Sequence, residues 1–216
     1  MVRNFPGAGD FTSVKSQLLG EVQRIDLMKY SGIINGFYKE AYCVNMFNIG
    51  LDCDVVALTA RLKKKPFIAG SMAYLLAVGG MFIQKRPINL QLIENDKLIV
   101  DGEILLVAIA NGSYCGGGMN TSPQSSMTDG VFDINIVKNV SRREFLNLFP
   151  KYKAGTHLQV PGIDNFITIK RSSELTLIPK QKNFFICVDG EVNLAEERIK
   201  FEIVPGALPF IVPARG

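Results

Sequence analysis

Two acids separated by one glycine, Asp189-Gly190-Glu191, are the residues of this 216-residue chain best suited to proton chemistry. Carboxylates held that close raise one another's affinity for a proton, and one of them can then act as a general base on a hydroxyl. The same stretch, Val188 to Glu191, also reads as a hairpin turn with two solvated acids. A second group runs Asn111-Gly112-Ser113-Tyr114-Cys115 and Gly116 to Gly118, then Pro123, Ser125, Ser126 and Asp129-Gly130. Its glycines remove side chains where something approaches the backbone, and Asp129, Ser126 and nearby carbonyls are hard oxygen donors of the kind magnesium takes. A polar loop closing on an Asp-Gly turn is the plainer alternative. The third group is Pro6-Gly7-Ala8-Gly9-Asp10-Phe11. Glycines ahead of a helix let backbone N–H groups face a phosphate, or they simply make a turn.

Other chemistries find little support. The four cysteines, Cys43, Cys53, Cys115 and Cys187, have no metal-ligand spacing, and a nucleophile–histidine mechanism would rest on the single His157. That histidine lies in a polar, glycine-containing stretch and reads as a surface residue. The 24 basic and 20 acidic side chains leave a net charge of +4, too small and dispersed for nucleic acid. A mild positive balance suits an anionic membrane surface, as it suits many cytosolic proteins. Isolated thiols and the lack of a secretory signal point to a reducing cytoplasm. The most apolar run, Phe67 to Gln84, is flanked by Lys63 to Lys65 and by Lys85 and Arg86. It falls short of the roughly 20 apolar residues that span a bilayer. It reads as a buried helix, or as one whose apolar face lies near lipid.

The elements that must position these groups are mostly strands. A loop leads into a helix near Thr12 to Leu19, with Asp10 or Thr12 as its cap. Strand-like segments follow at Val22 to Tyr30, Ile33 to Tyr38 and Tyr42 to Ile49, then a helix over Asp54 to Lys64. From Pro87 on, Ile88 to Ile93, Lys97 to Val100, Glu103 to Ala110, Val131 to Val137, Phe166 to Arg171, Glu174 to Ile178, Phe184 to Val188 and Arg198 to Val204 are β-rich. Asn35-Gly36, Asp101-Gly102, Asn111-Gly112, Asp129-Gly130 and Asp189-Gly190 are turn dipeptides that tolerate positive φ. One helix interrupts the strands, starting at Ser141 with Glu144 in the capping-box position. The pattern predicts a mainly β fold, an antiparallel β-sandwich with a few helices.

Taken in order, the glycine loop, Asn45 to Gly50 with Asp52, Asn111-Gly112 with the triple glycine, Asp129-Gly130-Val131-Phe132-Asp133 and Val188-Asp189-Gly190-Glu191 resemble the bacterial diacylglycerol kinase and YegS-type lipid kinase family. The likeness runs from about residue 5 to about residue 213. It implies a two-domain enzyme in which an N-terminal domain binds ATP through a Gly-Gly-Asp-Gly-Thr loop and a C-terminal β-sandwich completes the cleft. No such loop occurs here. The resemblance therefore implies that residues 1–20 are a remnant of the first domain and that 21–216 form the sandwich. Gly7 to Phe11 is similar to the family's Gly-Thr-Gly-Asn-Asp-Phe motif, with its asparagine missing and alanine for threonine. By the same resemblance Glu191 is the catalytic base with Asp189 beside it, and Ser126, Asp129 and Val131 hold a structural Mg2+, the valine through its carbonyl. Gly7, Gly9 and Asp10 then lie nearest the nucleotide phosphates.

The implied reaction is transfer of the γ-phosphate of ATP to a lipid hydroxyl such as that of diacylglycerol, at a peripheral membrane surface. The fragment is expected to be inactive without its ATP-binding partner domain, and a homodimer through exposed apolar surface is a further expectation. A non-catalytic lipid- or partner-binding module and an NAD kinase-like fragment are the alternatives.

Overall fold

A computed structural model describes residues 2–63, 80, 86–116 and 118–215. Nearly all of the apolar run from Phe67 to Gln84, and Gly117 of the triple glycine, lie outside the described residues. The described elements are α1 (Val14–Leu18), β1 (Glu21–Ile34), β2 (Phe37–Cys43), β3 (Met46–Gly50), α2 (Leu51–Lys63), β4 (Ile88–Glu94), β5 (Lys97–Ala110), β6 (Phe132–Lys138), α3 (Arg142–Ala154), β7 (Ile167–Ser172), β8 (Glu174–Pro179), β9 (Phe184–Val188), β10 (Glu191–Ala195) and β11 (Ile199–Val212).

All pairings are antiparallel, and eight strands close on themselves in the order β3-β9-β10-β1-β11-β8-β4-β5 and back to β3. Two long strands make the closure possible. Along one edge β1 pairs first with β11 and then, at Ile34, with β10, while β2 takes its other edge. Similarly β5 pairs along one edge with β4 and then β3, leaving the other edge to β6. Each 14-residue strand thus passes from one layer of a sandwich to the other. The predicted mainly β antiparallel sandwich is the architecture found.

Alternation of apolar residues fills the interior. Tyr30, Phe47, Phe184, Phe201, Leu90, Leu92 and Ile186 belong to one core, in which Phe47 packs edge-on against both Tyr30 and Phe201 at 4.8 and 4.9 Å. Fully burying a side chain such as Phe47 stabilises the fold by about 2–3 kcal/mol. A second core forms on the outside of β5, β6 and β7, where Tyr152 of α3 and Leu51 of α2 meet Leu106, Val137 and Ile167. The start of α3 is the capping box read from the sequence: Ser141 accepts from the Glu144 N–H, and Glu144 accepts from the Ser141 N–H at 2.7 Å.

Several local expectations are corrected. The cap of α1 is Ser13, because Asp10 and Thr12 are engaged with each other one turn earlier. The segment Ile33 to Tyr38 is not one strand: Asn35 and Gly36, at φ 54° and 84°, turn the chain between β1 and β2. Conversely Asp101-Gly102 is no turn, since β5 runs straight through it opposite Gln91 and Leu90, and the hairpin reverses at Asn95-Asp96 (φ 46° and 61°) instead. The strand β11 continues to Val212, past Pro205 and Pro209, because it widens opposite Asp26 and then resumes its pairing with β1. His157 is fully buried against the Tyr152 ring, 4.9 Å between centroids, and is not a surface residue. The end of α3 covers it. Among the described residues, no helix is long and apolar enough to cross a membrane.

Candidate active site at the rim of the sandwich

The Asp189-Gly190 turn joins β9 to β10 with both residues at positive φ, 47° and 97°. Its aspartate is fully occupied. One carboxylate oxygen accepts from the Asn45 and Met46 N–H groups, each at 3.0 Å, and from the Cys43 thiol at 3.3 Å; the other accepts from the Val44 N–H at 2.7 Å. In return the Asp189 N–H donates to the Met46 carbonyl. The chain between β2 and β3 is thereby folded round a single carboxylate. Burial and then the Asp189 charge push the Cys43 thiol well above its ordinary value, so it stays protonated.

Glu191 opens β10 directly opposite Val188, which is itself opposite Phe47. Directly opposed residues share a face of the sheet, and Val188 and Phe47 face the core. Glu191 therefore stands on the inward face at the open rim, exposed, above Val188. Among the described residues its carboxylate has no hydrogen-bond or ion-pair partner; only its backbone carbonyl accepts, from Asn193. The Tyr30 phenol lies within electrostatic reach of Cys43, Asp189 and Glu191, and burial first, then those groups, raise its pKa. Asp189 holds the turn and Glu191 is left uncommitted.

A hydrogen-bond network ties this rim to the other motifs. Asn45, clamped by Asp189, donates to the Tyr114 carbonyl and accepts from Asn4 at 3.1 Å, and Asn4 accepts from the Ser113 N–H. A side chain at Gly112 would lie 2.3 Å from the Asn45 side chain, which explains the glycine after Asn111. The Asn111 amide donates to the carbonyls of Asp26 and Val44, both at 2.8 Å. Asp26, 2% exposed, accepts from the Gly130 N–H at 2.8 Å and from the Gly206 N–H at 2.7 Å. One buried acid thus pins the Asp129-Gly130 loop and the widened part of β11. Sequence reading missed Asp26, Asn4 and Tyr30; the one available signal was an acid inside the apolar run Ile25 to Met28.

The glycine loop is shaped by its own chain. A Cβ at Gly9 would sit 1.8 Å from the Ala214 carbonyl oxygen, and one at Gly7 would meet the Arg215 guanidinium at 1.9 Å. The Gly9 N–H donates to the Pro213 carbonyl at 2.8 Å, and Arg215 donates to the Gly7 carbonyl. The Asp10 carboxylate accepts the Thr12 hydroxyl and N–H, which lowers its pKa. Phe5 stacks on Phe210 at 4.8 Å and fastens the segment to β11. Ala8 and Gly9 donate within the chain, and Gly7 and Asp10 are exposed.

Ser126, Asp129 and Val131 lie in the loop before β6, where the Asp129 carboxylate and the Ser126 hydroxyl are engaged. Asp129 accepts from the Arg171 guanidinium through one oxygen and faces the Val131 N–H at 3.4 Å with the other, while the Ser126 hydroxyl meets that of Thr128 at 3.3 Å. Arg171 also donates to Asp133, a 2% exposed acid whose pKa is raised by burial, with Ser125 and Arg171 opposing. This donor set does not fit a structural divalent ion without first giving up the arginine pair. Among the described residues, no group of three or more His, Cys, Asp or Glu gathers at a metal-ligand spacing.

The fold is thus a closed antiparallel sandwich with an uncommitted acid at its rim. The model of the YegS C-terminal NAD kinase beta sandwich-like domain matches residues 45–212, and the chain belongs to that family. It is 26% identical over 174 residues to a probable lipid kinase YegS-like protein of Stenotrophomonas maltophilia, covering 80% of this chain and 53% of the relative. It is 33% identical over 122 residues to the diacylglycerol kinase of Bacillus subtilis, covering 56% of this chain and 38% of that one. A putative diacylglycerol kinase from Bacillus anthracis has the same fold, with a TM-score of 0.60 at 20% identity over 89% of this chain and 57% of that structure. The chain spans about half the length of the curated relatives it matches, or less.

Proposed function

We propose that this chain is the sandwich half of an ATP-dependent lipid kinase that phosphorylates a lipid hydroxyl such as that of diacylglycerol. The observation that carries this is Glu191: an exposed acid on the inward face of the rim, beside a turn locked by Asp189, in a domain whose relatives are named lipid and diacylglycerol kinases. Glu191 is in place to accept the hydroxyl proton, and Asp189 is the positioning residue that fixes the backbone beside it. ATP supplies the phosphoryl group, with magnesium as the counter-ion of its phosphates, and the transfer depends on positioning and charge neutralisation. On this chain Gly7 and Asp10 face the nucleotide, whose main binding half lies in the part of the longer relatives that this chain does not match. The lipid is met at a membrane surface, and residues 1–216 alone are inactive.

The test uses the longest natural polypeptide carrying this sequence, supplied with ATP and either diacylglycerol vesicles or NAD. Phosphatidic acid is the expected product, and Glu191→Gln lowers kcat at least about 100-fold with an unchanged melting temperature. Phosphorylation of NAD alone, or a Glu191→Gln protein of normal activity, overturns the reading.

A further inference from the structure

The loop that precedes β6 is expected by family resemblance to be built on a divalent ion, yet its acids are already spoken for. Arg171 of β7 stands directly opposite Asp133 of β6. Its Nε donates to Asp133 at 3.1 Å, and its Nη2 donates to Asp129, four residues earlier in the chain. These two nitrogens lie on one edge of a planar, always-charged fork, so a single rigid group bridges loop and strand. The second oxygen of Asp133 accepts the Ser125 hydroxyl at 2.5 Å. Ser125 in turn contacts the Ser122 hydroxyl at 2.6 Å, and the Asn135 amide donates to Ser122 at 2.8 Å. The Ser113 hydroxyl donates to the Ser125 carbonyl at 2.9 Å. From β6 and β7 outward, the side chains of Asp133, Asp129, Ser125 and Ser122 all have protein partners.

We infer that Arg171 is the resident cation of the 122–133 segment, so that its conformation is set without a divalent metal. Magnesium needs close to six oxygens at about 2.0–2.1 Å in near-octahedral array. Here the Asp129 oxygens face a guanidinium and a backbone N–H, and the Ser126 hydroxyl is turned to Thr128. An approaching dication would meet the guanidinium charge first. Arg171 is thus a positioning residue: it acts through Asp129 and Asp133 on the loop that Asp26 grips from the other side at Gly130.

Thermal unfolding of the whole chain in EDTA and in millimolar magnesium tests this without lipid or nucleotide, so its outcome is separate from that of the kinase assay. Wild-type protein is expected to unfold at one temperature in both. Arg171→Gln is expected to unfold about 3 °C lower in EDTA and to regain part of that shift in magnesium, because two neighbouring acids are then unpaired. Arg171→Lys should recover part of the loss with no response to the metal. A wild-type midpoint that rises with magnesium, or an Arg171→Gln midpoint in EDTA equal to wild type, overturns the inference. The wild-type arm decides by itself if the glutamine variant fails to fold.

Discussion

At the Asp189 turn one carboxylate is balanced by three backbone N–H groups and a thiol, whereas at the Asp129 loop two carboxylates are balanced by one arginine side chain. Both devices hold a loop of charged residues at the end of a strand. They leave different remainders. Backbone donors consume Asp189 and ask nothing of its neighbour, so the Glu191 carboxylate is left without a partner among the described residues. At the other loop no acid is left over: Asp129 and Asp133 are both engaged, and the segment is scaffold. A carboxylate met by amides marks where chemistry can sit beside it, and a carboxylate met by guanidinium marks a joint.

The Asp26 carboxylate grips the Asp129 loop at Gly130 and β11 at Gly206, so removing it is the most severe way to break one side of the comparison. Asp26→Ala leaves the half-buried Gly130 and Gly206 N–H groups without an acceptor and is expected to cost about 3 kcal/mol, read from urea denaturation. A loss well below that would show the Asp129-Gly130 loop to be held without it. Asp189→Ala is next. It should cost about 2 kcal/mol, less because the turn is exposed, and it should reduce kinase turnover along with stability. If Arg171→Gln, whose half-exposed side chain is worth about 1 kcal/mol, destabilises more than Asp189→Ala, the ranking of amide over guanidinium is wrong.

The smallest effect is a pH slope. Burial places the pKa of His157 below the ordinary 6.5, so the folded state favours the neutral ring. The stability this brings is complete above about pH 6.5 and is lost as pH falls through the lower folded value, by at most about 1.4 kcal/mol per pH unit. Midpoints measured between neutrality and mild acid should fall for wild type and fall less for His157→Gln; identical slopes would remove His157 as the source.

Much of this was legible from local chemistry. Phe184 to Val188 followed by Asp189-Gly190 was read with its strand ends correct, because both residues of this Asp-Gly pair take positive φ and reverse the hairpin. The α3 capping box was equally local. Asp101-Gly102 looked the same and was not a turn: Gly102 does take a glycine conformation, φ 139°, but inside a strand whose pairing with β4 continues. His157 was misread because its polar neighbours in sequence say nothing of the helix folded over it. Arg171 and Asp129 are 42 residues apart, and Asp26 is 104 from Gly130. No spacing rule reaches across such intervals; only the sheet register brings those groups together.

The closed circuit of eight strands has a consequence for how this domain behaves by itself. Among the described strands β2 and β7 each pair with a single neighbour and leave an outer edge open, as do residues 21–25 of β1, 97–103 of β5 and 204–212 of β11, where only one side is paired. Of these, β2 carries Lys39 and Glu40, and β7 carries Lys170 and Arg171. Charge on an open edge discourages a second sheet from adding to it, so β2 and β7 are poor templates for edge-to-edge growth even where apolar side chains such as Phe37 and Tyr38 lie uncovered.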